Sequence, residues 1–125
     1  MFNIQVKNAL DEIGSSDGCR IMVDGTLPSG YDEYKVHIDM WAREALPSNR
    51  VLKILNNAKD WGKFEEAYFK ELDTEKDLII QMVVEKAKLG KVTLLHNSDD
   101  MKRNNAVALR DYLISREKIL LKEAA

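Results

Sequence analysis

Cysteine is almost absent from this chain of 125 residues, since Cys19 is the only one. An intrachain disulfide is therefore excluded, and cysteine usage gives no indication of secretion. Long apolar runs are also missing, because the longest clusters, such as residues 78–80, are far too short to cross a bilayer. No basic stretch followed by an apolar one is recognised at the N-terminus, so no membrane partner and a cytoplasmic location are expected.

A strong excess of one charge is lacking too. The 19 basic and 21 acidic residues give a formal net charge of −2, and they form no basic stripe. A nucleic-acid-binding surface is therefore not expected. The composition is 45% hydrophobic and 32% charged, which suffices for the core of one ordinary domain. Because no linker, repeat or low-complexity segment divides the chain, residues 1–125 are predicted to form a single domain.

Apolar periodicity predicts an alternation of strands and helices. A period of two predicts a strand over residues 2–7, and apolar runs predict inner strands over residues 19–24 and 91–96. Residues 36–38 fit a further short strand. Strands separated by helical patterns need crossover connections, which favour a mostly parallel sheet covered by helices. The predicted fold is α/β, a small Rossmann-like three-layer sandwich.

Capping residues indicate where the first helices begin. Asp39 is expected to cap a helical turn that ends at Pro47, and Ser48 is placed to cap the next helix. The clearest helix is predicted over residues 60–72, because one stripe of large apolar side chains repeats at helical spacing. The members of that stripe are Trp61, Phe64, Tyr68 and Leu72.

The C-terminal half is predicted to contain two further helices. Thr74 and Asp77 resemble a capping box that opens a helix ending at Gly90. A last helix is expected to start near Asp100. The segment 116–125 either prolongs that helix or docks on a partner.

Four stretches carry motifs at fixed spacing: residues 18–30, 41–48, 61–72 and 92–106. In order and register they resemble the motifs of the YeaO-like domain of unknown function, DUF488. Those motifs read roughly G-x-R-h-h-V-D-R-L-W-P-R-G, W-L-K-E-L-A-P-S, W-x-x-F…Y-x-x-E-L and V-T-L-L-Y-A-x-K-D-x-x-H-N-x-A. The resemblance covers residues 18 to about 114 and implies the α/β fold of that family. Matching residues include Gly18, Asp24, Gly30, Trp41, Ser48, Tyr68, Glu71, Asp100 and Asn104.

Several polar residues of those motifs are replaced in this chain. Gly25 and Ser29 stand where the family has arginine, Leu27 stands for tryptophan, and Arg103 stands for the histidine before N-x-A. Residues 56–59 replace a G-H-D-P stretch. Arginine and histidine are the residue types that bind anions and shuttle protons. The resemblance thus implies a divergent member that retains the fold and has lost polar chemistry.

The carboxyl ends of the strands are where a ligand site is expected, because open α/β sheets bind ligands at that edge. Asp24 and His96 end two predicted strands. If those strands are neighbours, their loops converge, and a phosphate or carboxylate could be held by Arg103 and by amides at the start of the last helix. The predicted ligand-binding residues are Asp24, Gly25, Ser29, Gly30, His96, Asp100, Arg103 and Asn104.

Simpler structural explanations compete with this site. Asp99 or Asp100 is favoured as a helix cap, whereas Asp24 either contacts a ligand or ties down a turn. The spacing Gly25-x-x-x-x-Gly30 fits a phosphate loop, but the following Lys-Ser/Thr is missing. No metal site, cofactor, Ser-His-Asp or Cys-His arrangement is predicted.

Three functions remain open at this point. The leading hypothesis is a non-catalytic or degenerate domain that binds a small anionic or nucleotide-like ligand. The first alternative is an enzyme acting on a nucleotide or nucleobase, with Asp24 and His96 as an acid–base pair within reach of one substrate atom. The second alternative is a protein-interaction module, with residues 116–125 forming a homodimer.

Overall fold

A computed structural model describes residues 1–124, and the side chains of residues 1–122. Within that range the chain forms four strands and six α-helices. They are β1 (Ile4–Asn8), β2 (Cys19–Met22), α1 (Glu33–Val36), β3 (Met40–Trp41), α2 (Asn49–Asn56), α3 (Trp61–Glu75), α4 (Asp77–Leu89), β4 (Val92–His96), α5 (Asn105–Ser115) and α6 (Glu117–Ala124).

The four strands form one parallel sheet in the order β1-β4-β2-β3. The central strand β4 is buried along its whole length and pairs with β1 on one side and β2 on the other. Leu94 is in register with Val6 of β1 and Ile21 of β2. This arrangement confirms the predicted α/β fold with a parallel sheet.

The main hydrophobic core lies on the sheet face that carries Ile21 and Leu94. Helices α2 to α5 supply most of the other buried side chains, and Leu120 and Leu121 of α6 pack against the same cluster. The helical residues that fill this core include Val51, Phe64, Tyr68, Leu72, Val83, Leu109 and Leu113.

The opposite sheet face is covered by loops and the short helix α1, held together by a buried polar network. The Arg20 guanidinium donates to the Asp17 carboxylate and to the carbonyls of Val36 and His37. Burial by itself would raise the pKa of Asp17, but hydrogen bonds from Gly14, Lys7 and Arg20 lower it to about 2. A small apolar cluster completes this layer: Ala9, Met22, Val36 and Leu95.

The prediction of a strand over residues 36–38 is wrong. Glu33–Val36 forms α1 because Asp32 caps it by accepting the N–H of Lys35. His37 then ends the helix in the left-handed region, at φ 61°. The edge strand next to β2 is instead Met40–Trp41.

Asp39 does not cap a helical turn as predicted. Its carboxylate accepts the backbone N–H of Arg20 and so fixes the end of the α1 segment to β2. The helical turn that follows is a 3₁₀ turn over Arg43–Ala45, without a side-chain cap. Ser48 caps α2 as predicted, because its hydroxyl accepts the N–H of Val51.

The predicted boundary between the two long helices is also wrong in detail. The helix expected over residues 60–72 runs on to Glu75. Thr74 forms no capping box, since its hydroxyl donates to the carbonyl of Lys70 inside α3. Helix α4 begins at Asp77, directly after Lys76, and has no side-chain cap at its N-terminus.

The last predicted helix start, near Asp100, lies five residues too early. Asn104 is the cap of α5 and accepts the N–H of Val107, so neither Asp99 nor Asp100 caps the helix. Asp100 instead closes a turn, because its carboxylate accepts the amides of residues 102 and 103. Of the predicted C-terminal segment 116–125, residues 117–124 form the separate helix α6 and do not prolong α5, and residue 125 lies outside the described part of the chain. None of the described helices is long and apolar enough to span a membrane.

Candidate functional site

A cleft of about 760 Å³ opens at the carboxyl ends of β2 and β4. Its floor is formed by residues 24–26, which follow β2, and by residues 97–98, which follow β4. Helix α2 and the start of α3 form one wall, and the start of α5 forms the other. This is the edge at which parallel α/β sheets bind ligands.

Asp24 joins three segments at the floor of the cleft. One carboxylate oxygen accepts the N–H of Asn97 at 2.6 Å, and the other accepts the amide of Asn105 at 2.7 Å. Its backbone carbonyl accepts the indole N–H of Trp41 at 2.8 Å. Burial raises the pKa of Asp24, although the hydrogen bonds from Asn97 and Asn105 act in the opposite direction.

His96 lies beside Asp24 but is fully buried behind the strand end. Its Nδ1 accepts the N–H of Ser98 at 3.1 Å, which places the proton of the neutral ring on Nε2. Burial lowers the pKa of His96, so the neutral ring is favoured. Nε2 has no hydrogen-bond partner within the described part of the chain. A fully buried ring cannot touch a molecule bound in the cleft.

Two cationic side chains, Lys59 and Arg103, line the cleft. Lys59 sits in the left-handed region at φ 53°, which is uncommon for a residue other than glycine. No ion pair involves it among the described residues. Arg103 follows the turn closed by Asp100, and the amides of Lys102 and Arg103 lower the pKa of that carboxyl group.

Helix α2 and the start of α3 line the cleft with both apolar and carboxamide side chains. Leu52 and Leu55 of α2 and the ring of Trp61 provide the apolar surface. Asn49 and Asn56 also line the cleft, and neither side chain bonds to another described residue. Their amides can therefore donate to a ligand and accept from it.

Glu71 positions the α2 wall. It is buried, and its carboxylate accepts both the N–H and the hydroxyl of Ser48, the cap of α2. One turn earlier, the Tyr68 hydroxyl donates to the carbonyl of Ala45 at 2.5 Å. The tyrosine and glutamate of the Y-x-x-E-L pattern therefore hold the segment that leads into α2.

The predicted site residues divide into two groups. Asp24, Gly25, Asp100, Arg103 and Asn104 line the cleft. Outside the lining lie three others: Ser29, Gly30 and His96.

Sequence reasoning missed the contributions of α2, Lys59 and Trp61. The signal that could have located them is the stretch 56–59, where the family pattern G-H-D-P is replaced. Asn56 and Lys59 of that stretch line the same cleft as Gly25 and Arg103, which also stand at replaced positions. No group of three or more metal-ligating side chains occurs in the described part of the chain.

Comparison with known proteins places the chain in a family. The sequence profile described as the "Inactive DUF488-N3 subclade" matches residues 3–123. The "Uncharacterized protein YeaO" of Escherichia coli (strain K12) is 32% identical over 114 residues, which cover 90% of this chain and 98% of that protein. No solved structure gives a significant match. The chain therefore belongs to the YeaO-like DUF488 family, within its inactive N3 subclade, and the function of this family is unknown.

Proposed function

We propose that this chain is a non-catalytic domain that binds a small anionic, nucleotide-like ligand in the cleft at the ends of β2 and β4. The observation that carries the proposal is the pairing, in one cleft, of the cations Lys59 and Arg103 with an apolar wall. A volume of about 760 Å³ lies within the range of ordinary ligand sites.

The lining suits the parts of a nucleotide. Leu52 and Trp61 offer an apolar surface for a planar ring, and the free carboxamides of Asn49 and Asn56 can pair with ring heteroatoms or hydroxyls. A phosphate group carries negative charge, which Lys59 and Arg103 can neutralise. The acidic lining residues Asp24 and Asp100 already accept backbone or amide hydrogen bonds, so they compete less for those cations.

The absence of catalysis is supported by the state of the two candidate acid–base residues. His96 is fully buried with its Nδ1 engaged, and both oxygens of Asp24 accept hydrogen bonds from Asn97 and Asn105. A general base must come within hydrogen-bond reach of the substrate proton. The description of the subclade as inactive agrees with this view.

The proposal is tested by thermal shift and calorimetry with nucleoside phosphates, the matching nucleosides, and inorganic phosphate. A ligand at about a hundred times its dissociation constant adds about 2.7 kcal/mol to the free energy of unfolding. We expect a nucleoside phosphate to produce that shift. Lys59→Gly is the sharpest variant, because it removes the cation while glycine favours the left-handed backbone of that position. Arg103→Ala should weaken the binding of the same ligand.

The control is Lys63→Ala, which removes an exposed cation from α3 outside the cleft and should leave the shift unchanged. Two results would overturn the proposal. One is the absence of a shift with any of these compounds. The other is a shift that Lys59→Gly and Arg103→Ala both leave intact. Turnover of the bound compound by the wild-type chain would favour the enzyme alternative.

A further inference from the structure

Helix α4 presents an apolar stripe to solvent on the side away from the core. Leu78, Met82 and Leu89 are exposed to 79%, 55% and 86%, respectively. With Glu85 they are spaced four, three and four residues apart, so they lie along one line of the helix. This is the spacing of residues at the seam between two packed helices.

An apolar groove of about 800 Å³ lies beside the N-terminal half of that stripe. Met40 and Trp41 of the edge strand β3 form one side of the groove, and Leu78, Ile79 and Met82 form the other. The groove is separate from the candidate ligand cleft, because the two have none of their described lining residues in common.

In a pair of chains, Leu89 of each copy is placed to fill the groove of the other copy. Leu89 lies eleven residues beyond Leu78 on α4, which corresponds to about 16 Å along the axis. If two α4 helices pack antiparallel about a point between Met82 and Glu85, each Leu89 meets Leu78 of the other copy and enters its groove. The same patch then serves both copies, so the contact closes as a two-fold dimer.

Charge at the two ends of α4 matches this pairing. Three exposed acidic residues, Glu44, Glu75 and Asp77, rim the groove together with the partly exposed Lys76. Leu89 is flanked by Lys86 and Lys88, and Lys88 also pairs with Glu85 at 3.7 Å. An antiparallel arrangement brings the basic end of each helix to the acidic end of the other, whereas a parallel arrangement brings like charges together.

We propose that this α4 surface, the exposed stripe with the adjoining groove, is the interface of a two-fold homodimer. The inference is independent of the proposed ligand, because the two surfaces are distinct. It assigns the self-association to α4 and not to the C-terminal segment 116–125.

Solution mass tests the interface directly. Light scattering or sedimentation of the whole chain, at concentrations up to about 1 mM, should show a species of twice the 14.3 kDa chain mass. Leu89→Glu places a charge opposite the acidic rim and should leave a folded monomer. Ile114→Glu alters an exposed apolar residue of α5 and should leave the dimer intact. A wild-type monomer throughout that range, or a Leu89→Glu dimer, overturns the proposal.

A charge-swap pair tests the antiparallel geometry. Lys86→Glu with Lys88→Glu makes both ends of α4 acidic, and Glu75→Lys with Asp77→Lys makes both ends basic. Each double variant should be monomeric alone. Mixed in equal amounts, the two should form a heterodimer, since every contact then joins opposite charges. A mixture that stays monomeric, or double variants that each remain dimeric, contradicts the two-fold antiparallel interface.

Discussion

The side chain of Asn105 donates a 2.7 Å hydrogen bond to the carboxylate of Asp24, a residue 81 positions earlier in the chain. The second carboxylate oxygen accepts the backbone N–H of Asn97. These two bonds join the start of α5 to the segments that follow β2 and β4. The floor of the candidate cleft is therefore held by one carboxylate.

Replacing Asp24 should destabilise the fold even without any ligand. Asp24→Ala leaves the donors of Asn97 and Asn105 without their acceptor, and we expect a loss of about 1–3 kcal/mol in the free energy of unfolding. Asp24→Asn retains one acceptor oxygen and should cost less. Urea denaturation measures both losses. Asp99→Ala, at an exposed position, serves as the control and should change stability by less than about 0.5 kcal/mol.

Glu71 should contribute more to stability than the arginine that pairs with it. Its carboxylate accepts two hydrogen bonds from Ser48, and removal in Glu71→Ala should cost about 1.5–3 kcal/mol. The Arg50 side chain, 74% exposed, lies 3.6 Å from the same carboxylate. Arg50→Ala should cost less than about 1 kcal/mol, because solvent screens such a pair. Equal losses for the two variants in chemical denaturation would contradict this ranking.

Glu65 should make stability fall as the pH rises. Burial and the neighbouring Asp111 raise the pKa of Glu65 from 4.5 to about 7. The folded chain thus holds this proton more tightly than the unfolded chain does. The resulting stabilisation is fully present below pH 4.5 and is lost as the pH passes about 7.

Glu65→Gln keeps the shape of the side chain and removes its titration. Thermal unfolding across the range from about pH 5 to about pH 8 should therefore show a smaller decline in stability for this variant than for the wild type. Glu66→Gln changes the exposed neighbour on α3 and should retain the wild-type decline. If the stability of both variants declines equally with pH, Glu65 is not the group that causes the decline.

Gly18 and Gly90 should respond very differently to alanine. Gly18 has φ +67°, and an added Cβ would lie 2.0 Å from the carbonyl oxygen of Lys91. Gly18→Ala should therefore cost more than about 3 kcal/mol in free energy of unfolding, through strain and forced displacement of the backbone. Gly90 has extended backbone with open space around its Cα, so Gly90→Ala should be neutral or stabilise by up to about 1 kcal/mol. Differential scanning calorimetry of the two variants checks the contrast.

The parallel sheet could be predicted because its inner strands are continuous apolar runs separated by helical patterns. The structure of the segment around His37 could not be predicted in the same way. The alternation of Val36 and Ile38 favours a strand, but Asp32 caps a helix there, and the Arg20 guanidinium binds the carbonyls that follow. A contact between distant residues thus overrides the local pattern.

The candidate site was predictable only in part. Strand ends meet at one edge of a parallel sheet, so Asp24 and the loop after His96 could be brought together from sequence. Which helix closes the cleft depends on packing instead. The hydrogen bonds between Ser48 and Glu71 fix the position of the α2 wall, and the sequence pattern of α2 does not predict them.

The position of β4 between β1 and β2 also constrains how the chain can assemble during synthesis. Strands β1 and β2 do not pair with each other. Both pair with β4, which ends at His96 and is synthesised much later. On a ribosome, roughly three quarters of the chain must emerge before the sheet can close, whereas α2 and α3 can already pair with each other. We therefore expect nascent chains stalled before residue 92 to expose Ile21 and Val6 and to engage chaperones.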